Sequence, residues 1–418
     1  MRVTASDPNL PTTILGAGII GIAIAAELAE AGHAVTIFDR TGICEETSSG
    51  NAAALAFPDY LPLAHKGMLR QLPRWLRDPL GPLSIPPAYF LQLSPWLIRF
   101  LRAGHPRLFE AGVTAQAAMM RLAAQEWVAL SERANMANMI RHDGSIDLHE
   151  SEAEFRASLP GWTVREKAQV PFEHVSGARL AELQPGLSPR FTHGTFMPTW
   201  KTVSDPKHFG KVLWAYAESK GARFARQTVT GIGRAGEGAM LRFADGSTHA
   251  APRLVIAAGA WSHRWARLFG DRIPLETERG YNTTLPAGAW DLRRQLTFVG
   301  HGFVVTPLEH GIRVGGAVEL GGLERPPNYA RSKAMLRKAE QFLPGLKTQE
   351  GREWMGYRPS LPDSLPVIGK SSAPNVFYAF GHGHLGLTQA AATGRLVREM
   401  MAGETPSLDL QPFSPKRF

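Results

Sequence analysis

Cysteine is almost absent: Cys44 is the only one in 418 residues. That excludes a disulfide framework and any Cys-rich zinc or iron–sulfur site, and it makes Cys44 a plain thiol of a reducing compartment. Long apolar runs are missing too. A membrane-spanning helix needs about 20 apolar residues, and the nearest approach, residues 14–31, is broken by Glu27 and Glu30 and by spaced glycines. The first ten residues carry one arginine and no apolar stretch, so they do not read as a secretory signal, and residues 1–11 read as an irregular arm. There is no internal repeat, no low-complexity tract and no His/Asp/Glu group at metal-ligand spacing, so no metal is expected. No Lys/Arg block is dense enough for a nucleic-acid partner. The net charge is nonetheless +9, which suits an acidic substrate, a phosphate-bearing cofactor or an anionic membrane surface. With 44% hydrophobic and 20% charged residues, the chain reads as globular and long enough for two or three domains.

What is present begins at the first strand. Residues 12–15 are apolar, Gly16-Ala17-Gly18-Ile19-Ile20-Gly21 follows, and an Ala-rich helix is expected over 22–31, stopped by Gly32. A second strand, 34–38, ends at Asp39 with Arg40 next to it. In this strand–turn–helix context the three glycines allow a tight turn and a close backbone approach to a pyrophosphate, which the helix N-terminus favours electrostatically. Asp39, eighteen residues after Gly21, suits a ribose hydroxyl and repels a 2′-phosphate. The bland alternative is a strand–helix turn with nothing bound.

Three further segments bear on the choice between flavin and nicotinamide. Thr47-Ser48-Ser49-Gly50-Asn51-Ala52-Ala53 offers small residues that can pack against a flat ring. Ala257-Ala258-Gly259-Ala260-Trp261 closes a buried strand expected at 254–258. Gly381-His382-Gly383-His384-Leu385-Gly386-Leu387-Thr388 opens a second helix, expected over 387–401, whose positive end could stabilise negative charge on a reduced flavin. Between these lie a helix expected over 113–134, a strand at 146–149, and a helix over 207–220 capped by Asp205-Pro206. Strands at 222–231 and 240–243, a hairpin region over 296–318, a helix over 332–342 and a strand at 376–379 follow. The Pro-punctuated, aromatic stretch 85–101 reads as a lid, a core segment or a membrane-contact surface.

On these segments, with 302–318 (GFVVTPLEHGIRVGGAV), 356–369 (GYRPSLPDSLPVIG) and 381–388, the chain resembles the D-amino-acid oxidase-like flavoprotein family over nearly its full length. Within that family it is most similar to bacterial D-amino-acid dehydrogenases and their D-hydroxyproline dehydrogenase relatives. The resemblance implies an α/β architecture: a glutathione-reductase-type, Rossmann-like FAD-binding domain interleaved with a mixed-sheet α+β substrate domain. The division expected is 1–90, 203–263 and 362–418 for the first, 91–202 and 264–361 for the second. It implies non-covalent FAD, with Val229 and the segments above among its contacts. It also implies a small D-amino acid as substrate, whose carboxylate Arg358 grips with a bidentate fork. Tyr281 is expected either to donate to the same carboxylate or to pack in the core, and His384 is expected beside the flavin. Electrons would pass to quinone or another acceptor, with the protein cytoplasmic or peripheral on the inner face of the bacterial inner membrane. An oxygen-using amine or amino-acid oxidase and a flavin-binding subunit of a respiratory complex are the alternatives.

Overall fold

The computed structural model describes residues 10–64, 81 and 83–418. Most of the expected amino-terminal arm lies outside these residues.

The glycine loop follows strand Thr12–Leu15, and helix Ile19–Glu30 starts behind Gly18 with no side-chain cap. The helix ends where Gly32 turns the chain at φ +86°, a conformation glycine adopts without steric cost. Strand Val35–Asp39 returns parallel to Thr12–Leu15. These strands sit in a six-stranded sheet in the order Arg223–Arg226, Val35–Asp39, Thr12–Leu15, Arg253–Ile256, Val376–Phe380, Val367–Lys370. All its pairings are parallel except the last. Its central strands carry apolar residues toward both faces, as a sheet covered on both sides requires.

One face is covered by helices Ile19–Glu30, Pro206–Ser219 and Gly386–Ala402. The first and last cross closely because Gly394 has no side chain: a Cβ there would stand 2.7 Å from the Ala23 carbonyl oxygen. Asp205 caps its helix as expected, accepting from the His208 amide at 2.6 Å, with Pro206 in the first turn. The other face packs against a three-stranded meander, Val229–Ala235, Gly238–Phe243 and Thr248–Ala251. Helix Pro106–Arg133, expected with the substrate domain, instead joins the first core. Its Met119, Ala123, Trp127 and Leu130 pack there, and the Trp127 indole donates to the Leu387 and Thr388 carbonyls.

A nine-stranded mixed sheet forms the second layer. Its main path runs Arg352–Ser360, Glu276–Pro286, Gly311–Leu320, Phe303–Leu308, Gln295–Phe298, Ser145–His149, His193–Met197, Glu173–Ser176. The expected hairpin over 296–318 is therefore three adjacent antiparallel strands. Successive side chains on a strand point to opposite faces, and the two faces differ sharply. One carries Tyr281, Leu296, Phe298, Val305 and Val314, covered by Met335, Ala339 and Phe342 of helix Ala330–Phe342. The other carries Trp354, Gly356 and Arg358 beside Glu278, Gly280 and Asn282, and it roofs a large cleft against the six-stranded sheet.

Candidate active site

The cleft is a cavity of about 660 Å³ running from the glycine loop to the roof. At the loop end, glycines are required by close approach. A Cβ on Gly21 would stand 1.9 Å from the Gly16 carbonyl oxygen, and one on Gly16, held at φ +111°, would stand 2.5 Å from that of Ala257. The uncapped N-terminus of Ile19–Glu30 faces this space, where unsatisfied N–H groups and the helix dipole suit phosphate. Ser48 accepts from the Ile19 amide at 3.0 Å. Asp39 does more than wait for a ribose: one oxygen accepts from the Ala17 amide at 2.9 Å and the other from the Thr41 amide at 2.8 Å, so the carboxylate braces the loop. Arg40 stacks over Trp261, 4.1 Å from the ring, and forms an ion pair with Glu46.

Toward the ring end, segment 47–53 is stitched to the roof. The Thr47 hydroxyl donates to the Tyr357 carbonyl at 2.9 Å, Asn282 to the Gly50 carbonyl at 2.7 Å, and Arg313 to the Asn51 carbonyl at 2.6 Å. Trp354 lies flat against Gly50 and Gly356, where a Cβ would collide with its indole at 2.3 and 2.0 Å. The uncapped helix Gly386–Ala402 begins at the same space, with Gly383, Leu385, Gly386 and Leu387 lining it. The small-residue cradle, two bare helix starts and an elongated cleft fit a dinucleotide carrying a flat ring. Cys44 has no access to that ring: it is buried against Gly210, and burial pushes its thiol up to about 12.

Most of the residues singled out in the sequence converge here. Gly16, Gly18, Ile19, Ile20, Asp39, Arg40, Thr47, Ser48, Asn51, Ala52, Val229, Ala258, Gly259 and Trp261 line the cavity, as do His382, Gly383, His384, Leu385, Gly386, Leu387 and Arg358. Gly21, Ser49, Ala53 and Thr388 sit behind the lining. Gly21 packs under Gly16, Ser49 donates to the Glu46 carbonyl, and Ala53 is wholly buried. Thr388 accepts from the Ala56 amide. The His382 ring is buried beside Thr393 at 3.0 Å, so only its backbone edge serves the cavity.

Arg358 rests on Gly280. A Cβ at 280 would stand 2.4 Å from the guanidinium carbon, so the glycine is the bed on which the fork lies. Among the described residues, the guanidinium makes one hydrogen bond, to the Ala317 carbonyl at 3.2 Å, leaving its other N–H groups for a ligand. Burial holds its pKa below the usual arginine value, and the nearby Glu278 carboxylate opposes that shift. Glu278 stands opposite Arg358 in the strand register and meets His384 Nε2 at 2.6 Å. Despite its burial, the His384 partner, with Ser360 and Arg358, holds the Glu278 carboxyl down at about 2.

Of the two roles expected for Tyr281, core packing accounts for its hydroxyl, although the residue borders the cavity. Its hydroxyl meets Glu319 at 2.5 Å and accepts from the Asn328 amide at 3.1 Å, and Glu319 is paired with buried Arg279 at 3.1 Å. The cause is the pleat: Gly280 faces the cavity, so its neighbours 279 and 281 turn their side chains into the opposite core. The hydroxyl is committed there and is not available to a substrate carboxylate. Glu278, by contrast, had no role assigned in the sequence, because a lone glutamate in a strand carries no motif; the only available signal was its place two residues before Gly280.

A family model described as "FAD dependent oxidoreductase" matches residues 12–400. The chain belongs to that family. It is an FAD-dependent oxidoreductase, and the cradle described above is where this chain's residues would hold the cofactor. A protein of Bradyrhizobium diazoefficiens named "D-amino-acid oxidase" is 33% identical over 416 residues, covering 97% of this chain and 98% of the relative. A "D-amino acid dehydrogenase" of Rhizobium johnstonii is 28% identical over 415 residues, covering 97% and 99%. Among solved structures, glycine oxidase from Geobacillus kaustophilus shares the fold with a TM-score of 0.75, at 23% identity and coverage of 99% and 100% of the two chains. L-proline dehydrogenase from P. horikoshii does so at 0.74, with 20% identity and coverage of 99% and 98%.

Proposed function

We propose that this FAD-dependent oxidoreductase oxidises the Cα–N bond of D-amino acids as a dehydrogenase. The observation that carries the reading is Arg358 seated on Gly280 in the cavity roof with most of its donors unengaged. A guanidinium fork matches a carboxylate in shape and charge, and the names of the relatives support the D-amino acid class. Bound FAD supplies the acceptor for the hydride that leaves Cα. Arg358 fixes the α-carboxylate and thereby the direction of the Cα–H bond, and fixing geometry in this way is a large part of what a protein contributes to such chemistry. The roof, lined there by Trp354 and Gly356, keeps that geometry. No side chain here needs to act as a nucleophile. An acyclic imino acid product then hydrolyses to a 2-oxo acid and ammonia, whereas a cyclic substrate such as D-proline or cis-4-hydroxy-D-proline gives a pyrroline carboxylate.

In this reading electrons go on to a quinone, from a position in the cytoplasm against the inner membrane. Helix Phe90–Ala103 supports that placement. It anchors Leu93 and Trp96 against Leu320 while Phe90, Leu91, Ile98 and Leu101 stay exposed, with Arg102 in its last turn. Apolar side chains beside arginine suit an anionic lipid surface. No helix among the described residues is long and apolar enough to cross a membrane. The relative named "D-amino-acid oxidase" favours a second reading, in which oxygen is the acceptor.

The test is anaerobic bleaching of the holoenzyme by D-alanine and D-proline. Arg358→Met should keep the flavin spectrum while requiring about a hundredfold more substrate, the scale expected when a buried charge loses its partner. Bleaching at the parental rate and concentration sinks the reading. Peroxide formed in air, measured against dye reduction, separates oxidase from dehydrogenase.

A further inference from the structure

We propose that the end of the cavity remote from Arg358 recognises a cationic side-chain terminus, with Asp147 as its anchor, so that D-amino acids with long basic side chains are preferred. The proposal rests on the carboxylate-binding role given to Arg358 above.

Asp147 lies on the same roof as Arg358 but at the far side of the sheet, on strand Ser145–His149. It stands directly opposite Thr297 in the register, and the Thr297 hydroxyl favours its ionised form. Two charged neighbours enter the cavity from outside the sheet: Arg165 of helix Glu152–Lys167 and Asp59. Arg165 is already occupied, 3.4 Å from Asp59 and 4.8 Å from the Trp162 ring. Two carboxylates therefore share one guanidinium, and Asp147 has no ion-pair partner within 4.0 Å among the described residues. Burial, opposed by Arg165 and reinforced by Asp59, pushes its carboxyl up to about 6, and a cation brought against it favours the ionised form.

The separation of the two ends sets the length of the substrate. Arg358 bonds the Ala317 carbonyl, and Thr297 aligns with Val304, which aligns with Gly315. Ala317 is thus three strands across and two residues along from Asp147. Strand spacings of about 4.8 Å and a rise of about 3.3 Å per residue make that backbone span roughly 16 Å, part of which the Asp147 side chain and a hydrogen bond at each end take up. A lysine- or arginine-length side chain fills the remainder when its α-carboxylate is on Arg358; alanine or proline does not. Val304, on a strand between the two ends, supplies apolar lining suited to a methylene stem, and Met197 and Trp200 line the cavity beyond Asp147.

The experiment compares anaerobic flavin reduction of the holoenzyme by D-lysine, D-arginine, D-norleucine, D-glutamate and D-alanine. D-norleucine has the lysine stem without the charge. The expected result is kcat/KM for D-lysine and D-arginine at least tenfold above D-norleucine, with D-glutamate poorest. In Asp147→Asn, checked for an unchanged flavin spectrum, the D-lysine to D-norleucine ratio should fall to about one. If D-alanine and D-norleucine reduce the flavin and D-lysine does so no better, this proposal fails while the reading of Arg358 stands. If Asp147→Asn keeps the parental ratio, Asp147 is not the anchor. If no amino acid in the panel bleaches the flavin, the Arg358 reading fails and takes this proposal with it.

Discussion

His384 Nε2 lies 2.6 Å from a carboxylate oxygen of Glu278, and Glu278 faces Arg358 across a strand pair. The carboxylate therefore lies between the His384 imidazole and the Arg358 guanidinium at the roof of the cavity. Replacing it by glutamine keeps the shape and removes the charge, leaving Arg358 buried without its opposing carboxylate. We expect Glu278→Gln to lower folding stability by about 2 kcal/mol, the scale for stripping a buried charged hydrogen bond of its partner. Denaturant unfolding of the holoenzyme at neutral pH measures this, and an unchanged midpoint with an unchanged slope would show the pair to be energetically idle.

Glu278 and buried His382 both contribute to the acid limb. The Glu278 carboxyl is held at about 2, below its ordinary 4.5, so its stabilising contribution is complete above pH 4.5 and is lost as pH falls toward 2. Buried His382 is held at about 3, below 6.5, by desolvation alone, so its contribution is complete above pH 6.5 and is lost as pH falls toward 3. Stability should decline in two overlapping stages, the first starting near pH 6.5. His382→Gln should flatten the decline between pH 6 and 5, and Glu278→Gln the decline below 4.5. Unfolding free energies measured across pH 3–7 on the three proteins decide it.

Tyr281 offers the complementary case. Its hydroxyl serves Glu319 and the Asn328 amide on the face of the sheet away from the cavity. Tyr281→Phe should therefore cost about 1–2 kcal/mol of stability through the groups left unpaired while kcat/KM stays within about twofold. A large loss of kcat/KM with retained stability would return the hydroxyl to the site.

These contrasts show which parts of the molecule could be read in advance. The glycine loop, Asp39 and the glycine-rich start of the last helix carry short-range signals, because tight turns and bare helix starts impose residue types at fixed spacing, and the structure brings them to one cleft. The capped helix behind Asp205 was legible for the same reason. Pleat parity was not: whether residue 280 or 281 faces the cavity depends on register with strands some 35 and 75 positions away. Nor is the packing of helix Pro106–Arg133 against the first core legible, because an amphipathic helix shows that it has a partner without showing which. Asp147 and Arg165 belong to no motif, and only the sheet order and the packing of helix Glu152–Lys167 bring them into the cavity that holds Arg358.

The two kinds of glycine in the site should fail differently. Gly280 keeps ordinary backbone angles, and what a Cβ meets there, at 2.4 Å, is the far end of the flexible Arg358 side chain. Gly280→Ala should therefore fold and bind FAD, but with the fork lifted off its bed the α-carboxylate loses alignment, so KM should rise tenfold or more with the flavin spectrum unchanged. Gly16 is held at φ +111°, and its Cβ would meet the Ala257 backbone at 2.5 Å, which cannot move without shifting strand Arg253–Ile256. Gly16→Ala should yield protein depleted of flavin, or none that is soluble. Absorbance ratios at the flavin and protein bands, with substrate titrations on whatever holoenzyme is recovered, separate the outcomes. A Gly280→Ala enzyme with parental KM would mean that the position of Arg358 over residue 280 is not what aligns the substrate.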